Sequence, residues 1–181
     1  MPIRVIAGEA RGRPLKTVRR AGTRPTSDRV REALFALLES HGADFALVLD
    51  LYSGTGAMGI EALSRGAAHC DFVESDAMAC AVIRQNLRLT GFADRARVHC
   101  AAVARALSRL AGPYTLVVAD PPYEYDLAES ELADLIARGL LAPGGTLAVE
   151  HSKRREWPED LGGRRRLLTR RHGDSALTVY Q

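Results

Sequence analysis

Strand-like and helical segments alternate along most of this 181-residue chain. Strands separated by helices at this spacing predict a parallel sheet with helices on both faces. The closing residues 164–181 contain two strand-like runs joined at Gly173, which predicts an antiparallel pair and a seven-stranded, mostly parallel sheet. The segments predicted as parallel strands are FALVLDLY, HCDFVE, ARVHCA, YTLVVAD and GTLAVEH. In such an α/β fold, ligands bind beyond the carboxyl ends of the strands.

The first part of the chain departs from this alternation. Residues 3–15, IRVIAGEARGRPL, are typical of a β-hairpin around a glycine-containing turn, and residues 16–29 form a polar connector. A helix is predicted to begin at Asp28, which suits the N-cap, and to end at Gly42. Its apolar face comprises Val30, Ala33, Leu34, Leu37 and Leu38. We therefore predict a small basic extension over residues 1–27 and a main domain over residues 28–181.

Charge is distributed unevenly along the chain, although the formal net charge is only +3. Residues 1–31 hold nine Lys or Arg and two acidic residues, whereas residues 32–150 hold eight basic and sixteen acidic residues. Residues 151–181 return to a net charge of +4. Basic patches attract phosphate polymers, so this pattern favours a nucleic-acid partner over arginines that only solubilise the surface.

Nothing in the sequence indicates a membrane segment, a secretion signal or a metal site. No apolar run approaches the roughly 20 residues that a membrane helix needs, and the first residues lack a signal-peptide core, which predicts a cytoplasmic protein without membrane contact. Cys70, Cys80 and Cys100 are single and widely spaced, so we expect buried thiols rather than disulfides or metal ligands. We also expect the chain to be a monomer.

A glycine-rich loop lies between the first parallel strand and the helix that follows it. Gly54, Gly56 and Gly59 have the G-x-G-x-x-G spacing, which permits a tight turn and a close approach of a ligand to the backbone. Glu74 ends the second strand, where a carboxylate can accept the hydroxyl protons of a ribose. Both a nicotinamide dinucleotide and S-adenosylmethionine fit this arrangement.

Asp50 helps to discriminate between these two cofactors. It lies at the end of the first strand, four residues before Gly54. A dinucleotide would bring two negative phosphates close to this acid, and like charges repel. The amino-acid end of S-adenosylmethionine is cationic instead, and Asp50 could attract it directly or through water. The alternative is that Asp50 only caps the loop or the helix.

The fourth strand ends in an acid, two prolines and a tyrosine, Asp120-Pro121-Pro122-Tyr123. Proline cannot donate to a sheet ladder, so this segment must leave the sheet at once. The Asp120 carboxylate and the Pro121 carbonyl could accept both hydrogens of a planar exocyclic amine, and the carboxylate could take the proton released on methylation. Tyr123 offers a flat face for an unstacked base. A polyproline turn with a capping acid is the plainer alternative.

These motifs resemble those of the RsmD-type bacterial small-subunit ribosomal RNA guanine-N2 methyltransferases, and the resemblance covers nearly the whole chain. Residues 4–15 are similar to the opening hairpin of the family, and residues 23–35, TRPTSDRVREALF, to its most specific signature. Residues 120–123 look like its amine-holding motif. The stretches DLYSGTGAMGIEALSRGA, FVESD and HGDSALTVY resemble its cofactor loop, ribose acid and closing strands.

The resemblance implies a Rossmann-like class I S-adenosylmethionine-dependent methyltransferase domain with an N-terminal hairpin and helix extension. It implies S-adenosyl-L-methionine as methyl donor, S-adenosyl-L-homocysteine as product, no metal, and a guanine N2 amine of 16S rRNA in assembled 30S particles as target. The catalytic residues would be Asp120, Pro121, Pro122 and Tyr123. The cofactor-binding residues would be Asp50, Tyr52, Gly54, Thr55, Gly56, Gly59, Glu74 and Ser75.

One stretch departs from the pattern common among methyltransferases. Many of them carry an acid after the third strand that accepts from the adenine amino group. Here the chain has Ala101, Ala102 and Val103 instead. Adenine would then be held by backbone groups and apolar packing.

Basic and polar residues of the extension and of the start of the first helix are predicted to contact RNA. Phosphate contacts of this kind set affinity and orientation, while the base pocket reads the target. The predicted RNA-binding residues are Arg11, Arg13, Arg24, Thr26, Arg29 and Arg31.

Three other functions are consistent with parts of the sequence. A nucleotide-binding oxidoreductase would use the glycine loop and Glu74 for NAD, but it leaves residues 120–123 unexplained. A non-catalytic RNA-binding module would use only the basic patches. Among methyltransferases, the alternative targets are adenine N6, another nucleic-acid amine, or a glutamine side-chain amide.

Overall fold

The fold is known from a computed structural model that describes residues 3–18 and 28–181. One eight-stranded sheet forms its centre, with the strand order β3-β2-β1-β4-β5-β8-β7-β6. The strands are β1 (Leu47–Leu51), β2 (His69–Glu74), β3 (Ala96–Cys100), β4 (Tyr114–Ala119), β5 (Leu141–Ser152), β6 (Asp160–Leu161), β7 (Arg164–His172) and β8 (Ser175–Tyr180). The helices are α1 (Asp28–Ser40), α2 (Ala57–Ser64), α3 (Ala77–Thr90), α4 (Val103–Ala106) and α5 (Ala128–Ala137).

The topology confirms the predicted doubly wound sheet. Strands β3, β2, β1, β4 and β5 pair in parallel, and β8 pairs with β5 and β7 in antiparallel fashion. The sheet has one strand more than predicted, because the two-residue strand β6 folds back onto the start of β7. The chain runs outward from β1 to β3 and then returns to β4 on the other side of β1. The crevice between the carboxyl ends of β1 and β4 is therefore the expected binding site.

Each face of the sheet has its own apolar core. Val48 of β1 belongs to the core that contains residues of α1, α2 and α3, whereas the next residue, Leu49, belongs to the core that contains residues of α4 and α5. This alternation follows from the period of two in a strand. Both faces are covered, which explains why the parallel strands read as continuous apolar runs.

The N-terminal segment packs onto α2 and α3 rather than onto a sheet edge. The predicted hairpin has a single isolated bridge, between Arg4 and Pro14. Ile3 and Val5 are buried in the same core as α1 to α3. A Cβ atom at Gly8 would lie 1.8 Å from the Ser64 carbonyl oxygen, so the chain can approach α2 this closely only at a glycine.

Three buried polar side chains bind this segment to the helices. On α2, the Glu61 carboxylate accepts the N–H groups of Ile6 and Ala7 at 2.8 and 3.0 Å, and Ser64 Oγ accepts the Ala10 N–H at 2.9 Å. On α3, Asn86 Oδ1 accepts the Lys16 N–H at 2.8 Å. The backbone of residues 6–16 thus satisfies part of its hydrogen-bonding capacity through helix side chains.

Helix α1 differs from its predicted pattern in one important respect. Its buried residues are Val30, Arg31, Leu34, Phe35 and Leu38. Asp28 is the first helical residue, and its Oδ1 accepts a hydrogen bond of 2.9 Å from Arg31 Nη2. Arg31 has no exposed surface, so its guanidinium belongs to the packed interior rather than to the surface predicted for it.

Helix α3 is capped at both ends: Asp76 accepts the Ala79 N–H at 2.8 Å, and Gly91 closes the helix in the left-handed conformation. Cys70 and Cys80 are buried as predicted, but Cys100 is exposed. Cys100 ends β3, which is an edge strand of the sheet in the described part of the chain. In the described ranges, no helix has the length and apolar character required to cross a membrane.

Candidate functional site

A cavity of about 720 Å³ opens at the carboxyl ends of β1, β2 and β4. This volume is in the range of small-molecule and cofactor sites. It lies in the crevice that the strand order predicts. Of the predicted cofactor-binding residues, it is lined by Asp50, Tyr52, Gly54, Thr55, Glu74 and Ser75, and of the predicted catalytic residues by Asp120, Pro121, Pro122 and Tyr123.

The remaining two predicted cofactor residues, Gly56 and Gly59, lie behind the cavity wall. A Cβ atom at Gly59 would lie 2.4 Å from Cε1 of Phe72 in β2, so this glycine lets α2 pack against the sheet. Gly54, by contrast, borders the cavity with a φ of 55°, and a Cβ there would meet no atom within 4 Å. The loop therefore leaves open space next to its first glycine, where a ligand can approach the backbone.

Asp50 holds the start of α2 in position. Its Oδ2 accepts the Gly59 N–H at 2.9 Å, and the residue is almost completely buried. Burial, with a smaller contribution from the nearby Glu74 carboxylate, raises the pKa of Asp50 to about 7. Asp50 therefore does bond the start of the helix, as the alternative interpretation of the sequence suggested. Because it also lines the cavity, the same carboxylate can meet a cationic ligand group.

Glu74 is fixed at the opposite side of the glycine loop. Its Oε2 accepts the Gly54 N–H and its Oε1 accepts the Asp76 N–H, both at 2.8 Å. A carboxylate has about four acceptor sites, so two backbone donors leave capacity for ligand hydroxyls. Glu74 is therefore an oriented acceptor at the cavity wall.

Apolar side chains form the wall next to Glu74. Val73 precedes it in β2, and Ala101, Ala102 and Val103 follow β3, all lining the cavity. Met58 of α2 also contributes. The stretch that lacks the usual acid thus lies at the cavity, and it supplies packing surface for a flat ring rather than a charged acceptor.

Asp120 and Pro121 leave β4 directly beside the end of β1. The Asp120 N–H bonds to the Leu51 carbonyl at 3.4 Å, which extends the β1–β4 pairing by one residue before the chain turns away. Pro121 is buried and Asp120 half-buried, while Pro122 is exposed. The Tyr125 N–H closes the turn onto the Pro122 carbonyl at 2.9 Å. The carboxylate and the Pro121 carbonyl therefore sit on a rigid turn at the cavity edge.

The Tyr123 ring is oriented by Ser175, the first residue of β8. Its hydroxyl lies 2.6 Å from Ser175 Oγ, which donates its single proton to Glu150 Oε1 at 2.9 Å. Tyr123 must therefore donate to Ser175. The ring is 43% exposed, so its face is accessible while its hydroxyl is anchored to β8. No local pattern indicates this pairing, because 52 residues separate Tyr123 from Ser175.

Tyr52 has a strained backbone conformation. The sequence indicated this residue only because it lies in the stretch that resembles the cofactor loop of the family. Its φ of 57° is left-handed, which is unusual for a residue with a bulky side chain. Its hydroxyl donates to Glu131 of α5, and Tyr125 donates to the other carboxylate oxygen at 3.0 Å. Burial and the Glu131 carboxylate raise the pKa of Tyr52, so it remains a neutral donor. This triad joins the glycine loop to the segment after β4.

The N-terminal segment supplies a further wall that the sequence did not predict. Ile3, Thr17 and Val18 line the cavity. Asn86 Nδ2 donates to the carbonyls of Lys16 and Thr55, both at 3.0 Å, so one buried amide connects this segment to the glycine loop. The cavity is therefore formed by both the extension and the sheet.

The predicted RNA-binding residues have different outcomes. Arg11, Arg13 and Arg29 are exposed and can contact a phosphate. The prediction for Arg31 is wrong, because the residue is buried between Asp28 and Glu61, whose nearest oxygens lie 2.9 and 3.8 Å from its guanidinium. Arg24 and Thr26 lie outside the described residues. In the described ranges, no group of His, Cys, Asp or Glu has the arrangement of a metal site.

Comparison with known proteins identifies relatives of this chain. Residues 3–181 match the family described as Conserved hypothetical protein 95. The chain is similar to ribosomal RNA small subunit methyltransferase D of Escherichia coli, with 39% identity over 82% of this chain and 74% of the relative. The family match extends over both the glycine loop and the β4 turn.

Two solved structures are similar to the fold. A hypothetical protein from Thermus thermophilus is 33% identical, with a TM-score of 0.80 over 98% of both chains. An RNA methyltransferase from Salinibacter ruber in complex with S-adenosyl-L-homocysteine is 20% identical, with a TM-score of 0.63 over 87% of this chain and 92% of that one. The second likeness concerns the fold alone.

Proposed function

Since this chain belongs to the RsmD-type family described as Conserved hypothetical protein 95, we infer that it is an S-adenosylmethionine-dependent methyltransferase of small-subunit ribosomal RNA. One observation carries this inference: an oriented carboxylate pair, Asp50 and Glu74, lines one cavity together with the Asp120-Pro121 turn. The carboxylate pair suits the cofactor and the turn suits an amine. The NAD alternative gives no role to that turn.

The residues around the cavity fit S-adenosylmethionine. We assign Asp50 to the cationic amino-acid end and Glu74 to the ribose hydroxyls. The open space at Gly54 accommodates the ligand next to the loop, and Ala101 to Val103 pack against the adenine. When bound, S-adenosylmethionine supplies an electrophilic methyl group.

Asp120 and Pro121 are proposed to prepare the amine for attack. The lone pair of an exocyclic amine is delocalised into the base, so the nitrogen is a poor nucleophile. Two acceptors, the Asp120 carboxylate and the Pro121 carbonyl, can hold its two hydrogens and direct the lone pair at the methyl carbon. Methylation would make the nitrogen cationic, with S-adenosyl-L-homocysteine as the leaving group after the sulfur–methyl bond breaks, and Asp120 would accept the proton that the nitrogen releases. Pro122 keeps the turn rigid.

We propose that the target atom is N2 of a guanine in 16S rRNA, within assembled 30S particles. The turn recognises a planar amine and Tyr123 provides a stacking surface, while the family resemblance favours guanine over adenine. Residues 1–27 are proposed as an RNA-contacting extension of the methyltransferase domain 28–181, with Arg11 and Arg13 of the extension and Arg29 of the domain on phosphates. Arg24 and Thr26 are proposed to join them. An RNA substrate of this kind implies a cytoplasmic protein, and we propose that it acts as a monomer.

Nucleoside analysis tests the target. Small subunits that lack the modification are incubated with the protein and labelled S-adenosylmethionine, and the digested RNA is analysed by mass spectrometry. We expect labelled N2-methylguanosine, with faster labelling of assembled subunits than of naked RNA. Labelled N6-methyladenosine would refute the guanine assignment, and an unlabelled RNA would refute the activity.

Cofactor binding should depend on pH through Asp50. Its pKa of about 7 means that the carboxyl is largely neutral at pH values well below 7 and ionised well above it. Affinity for the α-ammonium group of S-adenosylhomocysteine should therefore increase as the pH rises through this value. Each unit by which the ligand lowers the pKa of Asp50 corresponds to about a tenfold gain in affinity.

Isothermal titration calorimetry on both sides of this pKa measures the effect. The matched variant is Asp50→Asn, whose amide oxygen can still accept the Gly59 N–H. We expect this variant to bind more weakly on the alkaline side and to lose the pH dependence. An identical pH profile in both proteins would assign the titration to another group.

The roles of the Tyr123 ring and of its hydroxyl group can be separated by substitution. Tyr123→Ala removes the stacking surface and should lower methyl transfer by about a hundredfold or more, since stacking of a base on an aromatic ring contributes roughly 1–3 kcal/mol and positioning adds to it. Tyr123→Phe loses only the anchor and should retain most of kcat with a higher KM for subunits. Steady-state kinetics distinguish the two roles. Equal kcat values for Tyr123→Ala and wild type would exclude the ring from catalysis.

A further inference from the structure

A second cavity, of about 340 Å³, opens at the same edge of the sheet as the cofactor cavity. It is formed where β5 and β7 end and β8 begins. Register places Arg171 and His151 on either side of Ala176, and Thr169 beside Thr178, so these residues lie in adjacent strands at the cavity. The cofactor cavity lies over β2, β1 and β4, and the second cavity continues along the edge over β5, β8 and β7.

Four cationic side chains line this second cavity, Lys153, Arg155, Arg166 and Arg171, together with one acid, Glu156. Lys153 Nζ donates to the Gly173 carbonyl and pairs with exposed Asp174, both at 3.0 Å. Arg155 donates to the Tyr125 carbonyl at 2.9 Å. Arg171 is exposed at the cavity. The cavity therefore presents excess positive charge, which attracts anions.

Trp157 lines this cavity with its ring. The residue is 3% exposed, and the Arg155 guanidinium lies 5.4 Å from the centre of its ring. A cation over an aromatic ring is attracted by the electron density of the ring face, so Trp157 holds Arg155 at the cavity. The Trp157 Nε1–H is buried and has no hydrogen-bond partner within the part of the chain described here, so it is not a donor that a ligand in the cavity can reach.

The segment after β4 connects the two cavities. Arg155 contacts the Tyr125 carbonyl in that segment, and Tyr123 is anchored to Ser175, the first residue of β8. A base held at Asp120 would thus have the cofactor cavity on one side and the basic cavity on the other. The backbone of the same RNA strand can then reach the basic cavity.

We propose that this second cavity, with Lys153, Arg155 and Arg171, binds a phosphate of the RNA strand that carries the target base. The inference rests on the proposed function, because it assigns the second cavity to the same substrate. A phosphate held there would fix the strand next to the flipped nucleotide. Phosphate contacts position a nucleic acid without reading its sequence.

The test removes one charge at each end of the same strand. Arg171→Gln removes a cation at the cavity, whereas Arg165→Gln removes an exposed cation at the opposite end of β7. We expect Arg171→Gln to raise the KM for small subunits about three- to tenfold, to leave kcat nearly unchanged and to lower the salt slope of RNA binding by about one. Arg165→Gln should behave like wild type.

A further variant makes the test independent of a folding defect. Arg171→Lys keeps the charge and should recover most of the affinity. Binding of small-subunit RNA is measured by fluorescence anisotropy, separately from methylation. If Arg171→Gln and Arg165→Gln bind RNA equally well, the second cavity has no phosphate role. If Arg171→Gln binds RNA more weakly than wild type but the wild-type protein methylates no RNA, the phosphate site is supported and the proposed function is contradicted.

Discussion

Replacement of Asp120 by alanine should reduce methyl transfer by about a thousandfold or more, while S-adenosylhomocysteine still binds. The carboxylate is proposed both to hold one amine hydrogen and to take the proton, and general acid–base catalysis alone typically contributes on the order of 10²–10⁴. The residue lies at the cavity edge on a turn fixed by Pro121 and Pro122, so its removal leaves the glycine loop and Glu74 in place. Single-turnover methylation of small subunits and calorimetry with S-adenosylhomocysteine measure the two quantities.

Two other variants sharpen this experiment. Asp126→Ala removes an exposed acid from the same segment and should leave the rate within about twofold. Asp120→Asn retains an acceptor oxygen but is a far weaker base, so its rate should lie between those of wild type and Asp120→Ala. A wild-type rate for Asp120→Ala would remove this residue from the mechanism, and a wild-type rate for Asp120→Asn would remove only its role as a base.

Replacement of Glu61 by alanine should destabilise the protein by about 3–5 kcal/mol, the cost typical of breaking a buried ion pair. Glu61 has no exposed surface, and it accepts the Ile6 and Ala7 N–H groups as well as Arg65 Nε at 2.8 Å. Its Oε2 also lies 3.8 Å from Nε of the buried Arg31. Without this carboxylate, two backbone donors lose their acceptor and the Arg31 charge loses one of its two acidic partners.

Thermal unfolding measures this loss, which corresponds to about 6–20 °C in Tm for a chain of this size. The matched control is Glu39→Ala, because Glu39 bonds the same Arg65 through Nη1 at 2.7 Å but its side chain is 49% exposed. Exposed pairs contribute at most about 1 kcal/mol, so Tm should change little in the control. Limited proteolysis reports whether residues 3–18 detach before the remainder unfolds. Similar Tm values for the two variants would contradict the structural role of Glu61.

Arg29 and Arg31 show how well a sequence pattern predicts whether an arginine is exposed or buried. Both were predicted to contact RNA, because arginine is usually solvated. Arg29 is exposed, but Arg31 lies within the buried stripe of α1, next to Val30 and one turn before Phe35. The helical period already indicated that Arg31 lies on the apolar face of α1. It did not indicate Glu61, the buried acid on α2, which permits a charged side chain at an interior position.

Sequence patterns alone predict the α/β architecture, the glycine loop and the edge of the sheet at which Asp50, Glu74 and Asp120 lie. These features follow from local periodicity and from the geometry of parallel sheets, whose strands all end at one edge. The distant groups that complete the site are known from the fold: Ser175 beside Tyr123, Asn86 between Lys16 and Thr55, and the second, basic cavity at β5, β7 and β8. Such contacts join residues far apart in the chain, and they depend on packing, which no local pattern encodes.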